Sequence, residues 1–288
     1  MTNIQGSVAG LDPEGLRRFV ATTLSEDLGE GGDVTSAVTV PADARLKAEI
    51  ATRQPIVLAG VALAEAFFRS VDPEIRIERL AEDGQKLEPG TPILRLEGLG
   101  RPMLTAERSA LNSLQHLSGI ATLTRVYADA IEGTGCVLLD TRKTVPGLRV
   151  VEKYAAHVGG ATNHRMRLDD GILIKDNHIA IVGSLEQTVR AACAAGTGLE
   201  VQVEVDRIDQ IEPALSAGAE RLLCDNMTPA MLREAVAVVA GRVPIEASGG
   251  VRLDTIREIA ETGVNFVSVG RITQSAPAAD IGLDYSNA

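Results

Sequence analysis

Between residues 136 and 270 short apolar runs recur, and each ends in a polar or charged cluster. The run 136–139 leads into Asp140-Thr141-Arg142-Lys143, 171–174 into Lys175-Asp176-Asn177, 201–203 into Glu204, and 222–224 into Asp225-Asn226. The runs 243–245 and 266–269 lead into Glu246 with Ser248, and into Gly270. Glu204, Asp225 and Glu246 are spaced by 21 residues, and Ser248 to Gly270 by 22. That interval holds one strand, one loop and one helix, and helix patterns fill the gaps at 206–217, 228–240 and 253–262. Thr228-Pro229 and Gly241 mark the start and stop of one of these helices.

The first hundred residues follow a different pattern. Asp12-Pro13-Glu14 supplies an N-cap, a proline at the first helical position and an acid in the first turn of an amphipathic helix running towards Leu28. The stretch 46–52 alternates apolar Leu46, Ala48 and Ile50 with polar neighbours, the period of a half-buried strand. Turn dipeptides Asp83-Gly84 and Pro89-Gly90 precede another strand at 92–96, so 45–100 reads as a small sheet with a helix at 60–70. A long helical pattern at 104–131 links the two regions.

Successive strand–helix units build a parallel sheet, and continuous apolar strands imply burial on both faces, as in an α/β barrel. An open doubly wound sheet is the competing architecture. Reactive side chains at the ends of at least five strands favour the barrel, where sites occupy that rim. About six strands are clear, so the barrel is incomplete, TIM-like, or seven-stranded. The expected division is an N-terminal α/β sandwich over 1–115, with the tail 276–288 returning to it, and a catalytic barrel over 116–275.

No apolar run among the 288 residues approaches the roughly 20 needed to cross a bilayer. The N-terminal stretch has neither a basic region nor an apolar core, so a cytoplasmic protein is expected. A net charge of −11 and only 2% aromatic residues argue against nucleic acid as a partner. Cys136, Cys193 and Cys224 stand apart in apolar surroundings, which predicts core packing rather than a zinc site or disulfides.

Charge reverses locally. Residues 140–178 carry seven cations (Arg142, Lys143, Arg149, Lys153, Arg165, Arg167, Lys175) against five acids, a net +2 inside a chain of −11. Arg149, Lys153 and Arg167 read as a solvated face. Arg142 and Lys143 directly follow a buried run and Lys175 ends one, where an unpaired ammonium is costly, so these point to an anionic ligand. Ser248-Gly249-Gly250 and Gly270 offer backbone N–H groups at two successive strand ends, near helix starts, an arrangement suited to phosphate. Glu204 and Asp225 close neighbouring strands. Two carboxylates facing a phosphate ligand need a divalent cation or a developing positive charge between them; alternatively each pairs with a nearby Lys or Arg.

These residues also resemble a known family. Thr141-Arg142-Lys143-Thr144-Val145-Pro146-Gly147-Leu148-Arg149, Glu152-Lys153-Tyr154-Ala155, Asn163-His164-Arg165 and Leu173-Ile174-Lys175-Asp176-Asn177-His178 are similar to the signature of quinolinate phosphoribosyltransferases. Further similarity lies at Glu26-Asp27-Leu28-Gly29, Glu107-Arg108-Ser109, Glu204-Val205-Asp206, Cys224-Asp225-Asn226-Met227 and Glu246-Ala247-Ser248-Gly249-Gly250. The resemblance implies an N-terminal α/β sandwich, a seven-stranded α/β barrel, and a homodimer in which Arg108 reaches the partner's site. It implies quinolinate binding by Arg108, Arg142, His164, Arg165 and Lys175, and phosphoribosyl pyrophosphate binding by Lys143, Ser248, Gly249, Gly250 and Gly270. Lys143, Glu204 and Asp225 are the catalytic candidates, the two acids also being candidate ligands of Mg²⁺. The reaction implied is phosphoribosyl transfer to quinolinate with decarboxylation. Ala161, Thr162, Arg167 and Arg271 depart from the family pattern in loops.

Overall fold

The structure is a computed structural model that describes residues 7–286 of the 288. The N-terminal stretch read for a leader begins outside the described residues, and the last two residues of the 276–288 tail lie outside them. The chain forms two compact units. One comprises the chain up to Arg125, Gly147–Gly159 and the segment from Ser275; the other comprises Val126–Pro146 and Gly160–Gln274.

Twelve strands lie among the described residues. They are β1 (Arg45–Thr52), β2 (Ile56–Val57), β3 (Arg76–Arg79), β4 (Lys86–Leu87), β5 (Pro92–Leu99) and β6 (Val137–Leu139). The rest are β7 (Ile172–Ile174), β8 (Val201–Val205), β9 (Arg221–Asp225), β10 (Ile245–Ser248), β11 (Phe266–Ser268) and β12 (Ile281–Ser286).

In the first unit β12, β1, β5 and β3 form a four-stranded sheet in that order, every pairing antiparallel. β2 and β4 pair separately. The helix Pro13–Leu28 starts as its sequence dictates: the Asp12 carboxylate accepts from the Gly15 amide at 2.6 Å, satisfying one of the free N–H groups of the first turn. Phe67 and Phe68 of the helix Val61–Val71 are fully buried, and Phe19 meets Phe67 with ring centres 6.4 Å apart. Each such ring removed from water stabilises the unit by about 1.5–3 kcal/mol.

Two features of this unit depart from the sequence reading. Lys153, expected on a solvated face, is 1% exposed, and its neighbour Glu152 is completely buried with an oxygen 2.8 Å from His116 Nε2. The helix Arg149–Gly159 belongs to this unit, and its Glu152 meets His116 of the same unit, where a partnered ion is tolerated. The long helical pattern is a helix over Gly100–Ala130.

In the second unit six parallel strands run in the order β6-β11-β10-β9-β8-β7. Thr162 continues the array beyond β6 through a parallel bridge to Leu139, which puts one residue in the seventh position. Helices Leu185–Ala194, Ile211–Ala217 and Pro229–Val239 separate successive strands, the architecture of the expected α/β barrel. β8 and β10 are largely buried on both faces, yet they are not apolar on both. Gln202 and Glu204 alternate with Val201, Val203 and Val205, and Glu246 and Ser248 alternate with Ile245 and Ala247. One face is therefore polar.

β10 begins two residues later than its apolar run. Pro244 has no N–H to give to a ladder, and the Ile245 amide donates to Asn265 Oδ1 at 2.8 Å. Glu246 consequently lies inside the strand. The helix expected over 253–262 is reduced to Ile256–Ala260. Cys136 and Cys224 are buried as expected, with burial pushing each thiol up to about 12. Cys193 is exposed although it follows Val189 by four residues on the same stripe, because it stands in the last turn of its helix, where its thiol donates to Gly218 O at 3.3 Å.

The close packing of the first unit generates a test. A Cβ on Gly119 would sit 2.1 Å from the Pro277 carbonyl oxygen. Nearby, the Ala279 amide donates to Gln115 O at 2.9 Å and Gln115 Nε2 donates to Ile281 O at 2.7 Å. Gly119→Ala is expected to destabilise this unit by about 1–3 kcal/mol in urea unfolding, the range for an overpacked core. An unchanged transition midpoint would contradict the close approach.

Candidate active site

The barrel rim is organised by carboxylates that lie beneath its cations. Asp140, the residue after β6, is completely buried. Its two oxygens accept from Asn163 Nδ2 at 2.6 Å and from the His164 amide at 2.7 Å, which pins the segment 163–165 against the end of β6. The His164 ring then receives the Arg165 amide on Nδ1 at 2.7 Å, while its Nε2 lies 3.3 Å from Glu246 Oε2. Arg165 Nη1 donates to Gly171 O at 2.9 Å. Burial, and after it the Arg142 guanidinium, hold the Arg165 pKa below its ordinary range. Arg142 thus stands close enough to Arg165 to disfavour its charge, a cost that a bound anion would offset.

A second histidine repeats the device. The Lys175 amide donates to His178 Nδ1 at 2.9 Å, so the backbone of each cation is tied to a ring nitrogen. The Lys175 ammonium itself pairs with Glu204 Oε2. Of the alternatives left open by the sequence for Glu204, the structure holds the ion pair, with a lysine from the adjacent strand. β7 and β8 make that pairing direct, since Ile174 is in register with Val203 and the next residues are Lys175 and Glu204.

The glycine loops meet the other strand ends. Ser248 is in register with Asp225, and the Asn226 amide donates to Ser248 O at 2.8 Å. Gly249 has φ +91°, and a Cβ there would come within 2.3 Å of Asn226 Oδ1, so only glycine fits this crossing. A Cβ on Gly270 would lie 2.8 Å from Lys143 Cδ, which places the Lys143 side chain across the end of β11. Thr273 Oγ1 donates to Lys143 O at 2.8 Å and holds that loop. The helices after these loops are too short, and the one after Gly250 too distant in sequence, to supply the dipole expected for phosphate. What the loops themselves offer is backbone N–H groups.

The barrel unit therefore brings together Arg142 with Arg165 and His164, Lys175 with Glu204, Asp225 with Ser248, and Lys143 with Gly270. Arg108 is an exposed residue of the helix Gly100–Ala130 in the other unit. Sequence reasoning missed Asp140 and the interior set of Gln202, Arg221 and Glu246. The only signal was a charged or amide residue at alternate positions within otherwise apolar strands. Among the described residues no group of three or more His, Cys, Asp or Glu side chains is placed to hold a metal ion. Glu204 is engaged by Lys175, and Asp225 Oδ2 accepts from Asn226 Nδ2 at 2.6 Å. A tight all-protein Mg²⁺ cage does not fit these donors; a hydrated ion held chiefly by substrate phosphates, with Asp225 as one ligand, does.

A parallel barrel with basic loops and phosphate-suited glycines on one rim is the architecture of α/β-barrel enzymes of phosphorylated small molecules. Comparison with known proteins narrows this. The model of the quinolinate phosphoribosyl transferase C-terminal domain matches residues 120–284, and that of the N-terminal domain matches 33–118. Nicotinate-nucleotide pyrophosphorylase (carboxylating) of Mycobacterium leprae is 42% identical over 276 residues, covering 93% of this chain and 96% of the relative. A chloroplastic protein of that name from Oryza sativa is 38% identical, over 93% of this chain and 77% of its own. The solved nicotinate-nucleotide pyrophosphorylase of Francisella tularensis superposes with a TM-score of 0.91 at 37% identity, covering 97% of this chain and 99% of that one. The chain belongs to the quinolinate phosphoribosyl transferase family. No helix among the described residues is long and apolar enough to cross a membrane.

The interior carboxylate makes a pH prediction. Burial pushes the Glu246 carboxyl up, but His164, Arg221 and Gln202 together outweigh it and leave the pKa below the ordinary value. A depressed folded pKa means stability that is present above the unfolded pKa, about 4.3, and lost as pH falls through the folded value. In urea unfolding, Glu246→Gln should therefore cost most above pH about 5 and progressively less below about 4. A cost independent of pH would show that the carboxylate is not ionised in the folded chain.

Proposed function

We propose that this chain transfers the phosphoribosyl group of phosphoribosyl pyrophosphate to the ring nitrogen of quinolinate, releasing pyrophosphate and CO₂ and forming nicotinate mononucleotide. The observation that carries this reading is that Arg142 stands near enough to Arg165 to disfavour its charge, on a rim that also bears Lys175. Quinolinate brings two adjacent carboxylates. Stripping their water requires replacement by charge-assisted hydrogen bonds, which two guanidiniums and an ammonium supply.

Catalysis in this reading begins with departure of pyrophosphate from the ribose C1 carbon, which leaves positive charge on the sugar. Glu204 and Asp225 face that charge from neighbouring strands and stabilise it. Lys143, lying across Gly270, contacts the leaving phosphates, with Ser248, Gly249 and Gly250 on the donor's other phosphate. Mg²⁺, when bound, supplies neutralisation of the pyrophosphate. The ring nitrogen bonds to C1 and becomes positively charged. The bond from the adjacent ring carbon to its carboxylate then breaks, the electron pair stays on that carbon under the nitrogen's charge, CO₂ leaves, and a proton adds in its place. The three free cysteines suit a reducing compartment, so cytoplasmic action forms part of the proposal.

The direct test is quinolinate-dependent release of CO₂ and pyrophosphate in equal amounts, with nicotinate and other pyridine acids run beside it. Absence of turnover with quinolinate, or turnover of another acid in preference, would overturn the reading. Arg142→Ala and Lys175→Ala should each weaken quinolinate binding by about 10- to 150-fold, the size of one lost charge-assisted contact, and affect the donor far less. Equal weakening of both substrates would remove these residues from the quinolinate subsite.

A homodimer with shared sites is the second part of the proposal. Arg108 lies in the first unit, is exposed, and matches the arginine that the family contributes across the interface. Arg108→Ala retains an intact barrel and Lys175→Ala retains an intact Arg108. When equal amounts exchange subunits, about half the dimers are mixed and each has one complete site, so activity should return to roughly a quarter of wild type. Activity that stays at the level of the separate variants, in a mixture proven to exchange, would place Arg108 in its own subunit's chemistry or in none.

A further inference from the structure

Beneath the rim lies a charged cluster that the proposed reaction does not use. Glu246, on β10, is 1% exposed. Its Oε2 accepts from Gln202 Nε2 on β8 at 2.8 Å and from Arg221 Nη2 on β9 at 2.8 Å. The Arg221 guanidinium in turn lies over the Phe266 ring of β11, 4.1 Å from its centre. Four neighbouring strands thus contribute to one interior arrangement. A buried ion pair of this kind is seldom a net source of stability compared with apolar packing, so its presence asks for another role.

The role is visible in what the carboxylate faces. His164 Nε2 is 3.3 Å from Glu246 Oε2, and the imidazole is 13% exposed. The other ring nitrogen, Nδ1, accepts the Arg165 amide at 2.7 Å. An acceptor at Nδ1 and a carboxylate at Nε2 together require the neutral tautomer with its proton on Nε2. Both nitrogens are then committed within the protein, and the ring has no polar atom left for a substrate. Glu246 Oε1 is buried with no hydrogen-bond partner among the described residues, so the carboxylate has no spare donor to replace His164 if the ring turns.

We propose that Glu246 is a positioning residue that fixes the tautomer and orientation of His164, and that His164 in turn fixes the backbone of Arg165 rather than touching the substrate. The chain of contacts runs from Gln202 and Arg221 to Glu246, to His164, to the Arg165 amide, and so to the guanidinium beside Arg142. The charge state of Glu246 agrees with this order. Its carboxyl is held in the ionised form, and its negative charge helps to raise the thiol of neighbouring Cys224. The proposal deepens the function given above and rests on it only where substrate binding is concerned.

Two measurements test it. The first needs no substrate: nitrogen-15 spectra of histidine-labelled wild-type protein near pH 7.5, with His164 assigned by its loss in His164→Gln. A single neutral tautomer protonated on Nε2 is expected, unchanged when quinolinate is added. A proton on Nδ1, or a ring nitrogen that changes its protonation on adding quinolinate, would overturn the proposal even if every Glu246 variant failed to fold. The second uses Glu246→Gln, which keeps the shape and removes the charge. The His164 tautomer should become mixed and the KM for quinolinate should rise about tenfold, the effect of one charge-assisted contact, while the donor KM and kcat stay within about twofold. An unchanged quinolinate KM, or equal losses for both substrates, would overturn the positioning role. Failure of the enzyme to use quinolinate at all would leave the tautomer result standing and remove only the functional reading.

Discussion

Holding like charges together is the constraint on which the barrel rim depends. Arg142 and Arg165 lie near enough for one to lower the other's pKa, and nothing in a polypeptide brings two guanidiniums together without an opposing force. Here the force comes from carboxylates placed below them. Asp140 fixes the amide of His164, Glu246 faces the ring of the same residue, and that ring fixes the amide of Arg165. Backbone-to-ring hydrogen bonds position Arg165 and Lys175 in addition to the contacts that their charged ends make. Glu204 binds a cation directly, and its lysine comes from the next strand.

The strands make this possible by departing from the apolar pattern usual in a parallel sheet. A barrel strand hidden on both faces is normally filled by branched aliphatic side chains. In β8 and β10 the aliphatic residues keep to one face, and Gln202, Glu246 and Ser248 occupy the other; in β9 Arg221 shares that second face with Leu223. The cost is a set of interior groups that must satisfy one another, and most do. The gain is a polar framework in direct contact with the loops where the chemistry is proposed.

Much of this was legible in the sequence, and the boundary of legibility has physical causes. The repeat of apolar runs closed by Glu204, Asp225 and Gly270 located strand ends because parallel strands carry their functional residues there. The helix from Pro13 and the long helix ending at Ala130 followed from cap chemistry and periodicity. Glu246 was misplaced to the end of its strand because an apolar run says nothing about where hydrogen bonding starts; Pro244 and Asn265 decide that. Lys153 was read as solvated because helical spacing alone does not tell which flank of the helix is buried. His164 could be named as part of the site, but which of its nitrogens was already occupied depends on Glu246, 82 residues further along the chain.

The account turns on two adjacent carboxylates meeting a cation cluster built in advance. Calorimetric titration of the wild-type chain with quinolinate and with nicotinate, which lacks one of the two carboxylates, tests this most directly. Each charge-assisted contact contributes about 1.5–3 kcal/mol, so nicotinate should bind about 10- to 150-fold more weakly. Equal affinities for the two acids would mean that the second carboxylate finds no cation, and would contradict the central claim.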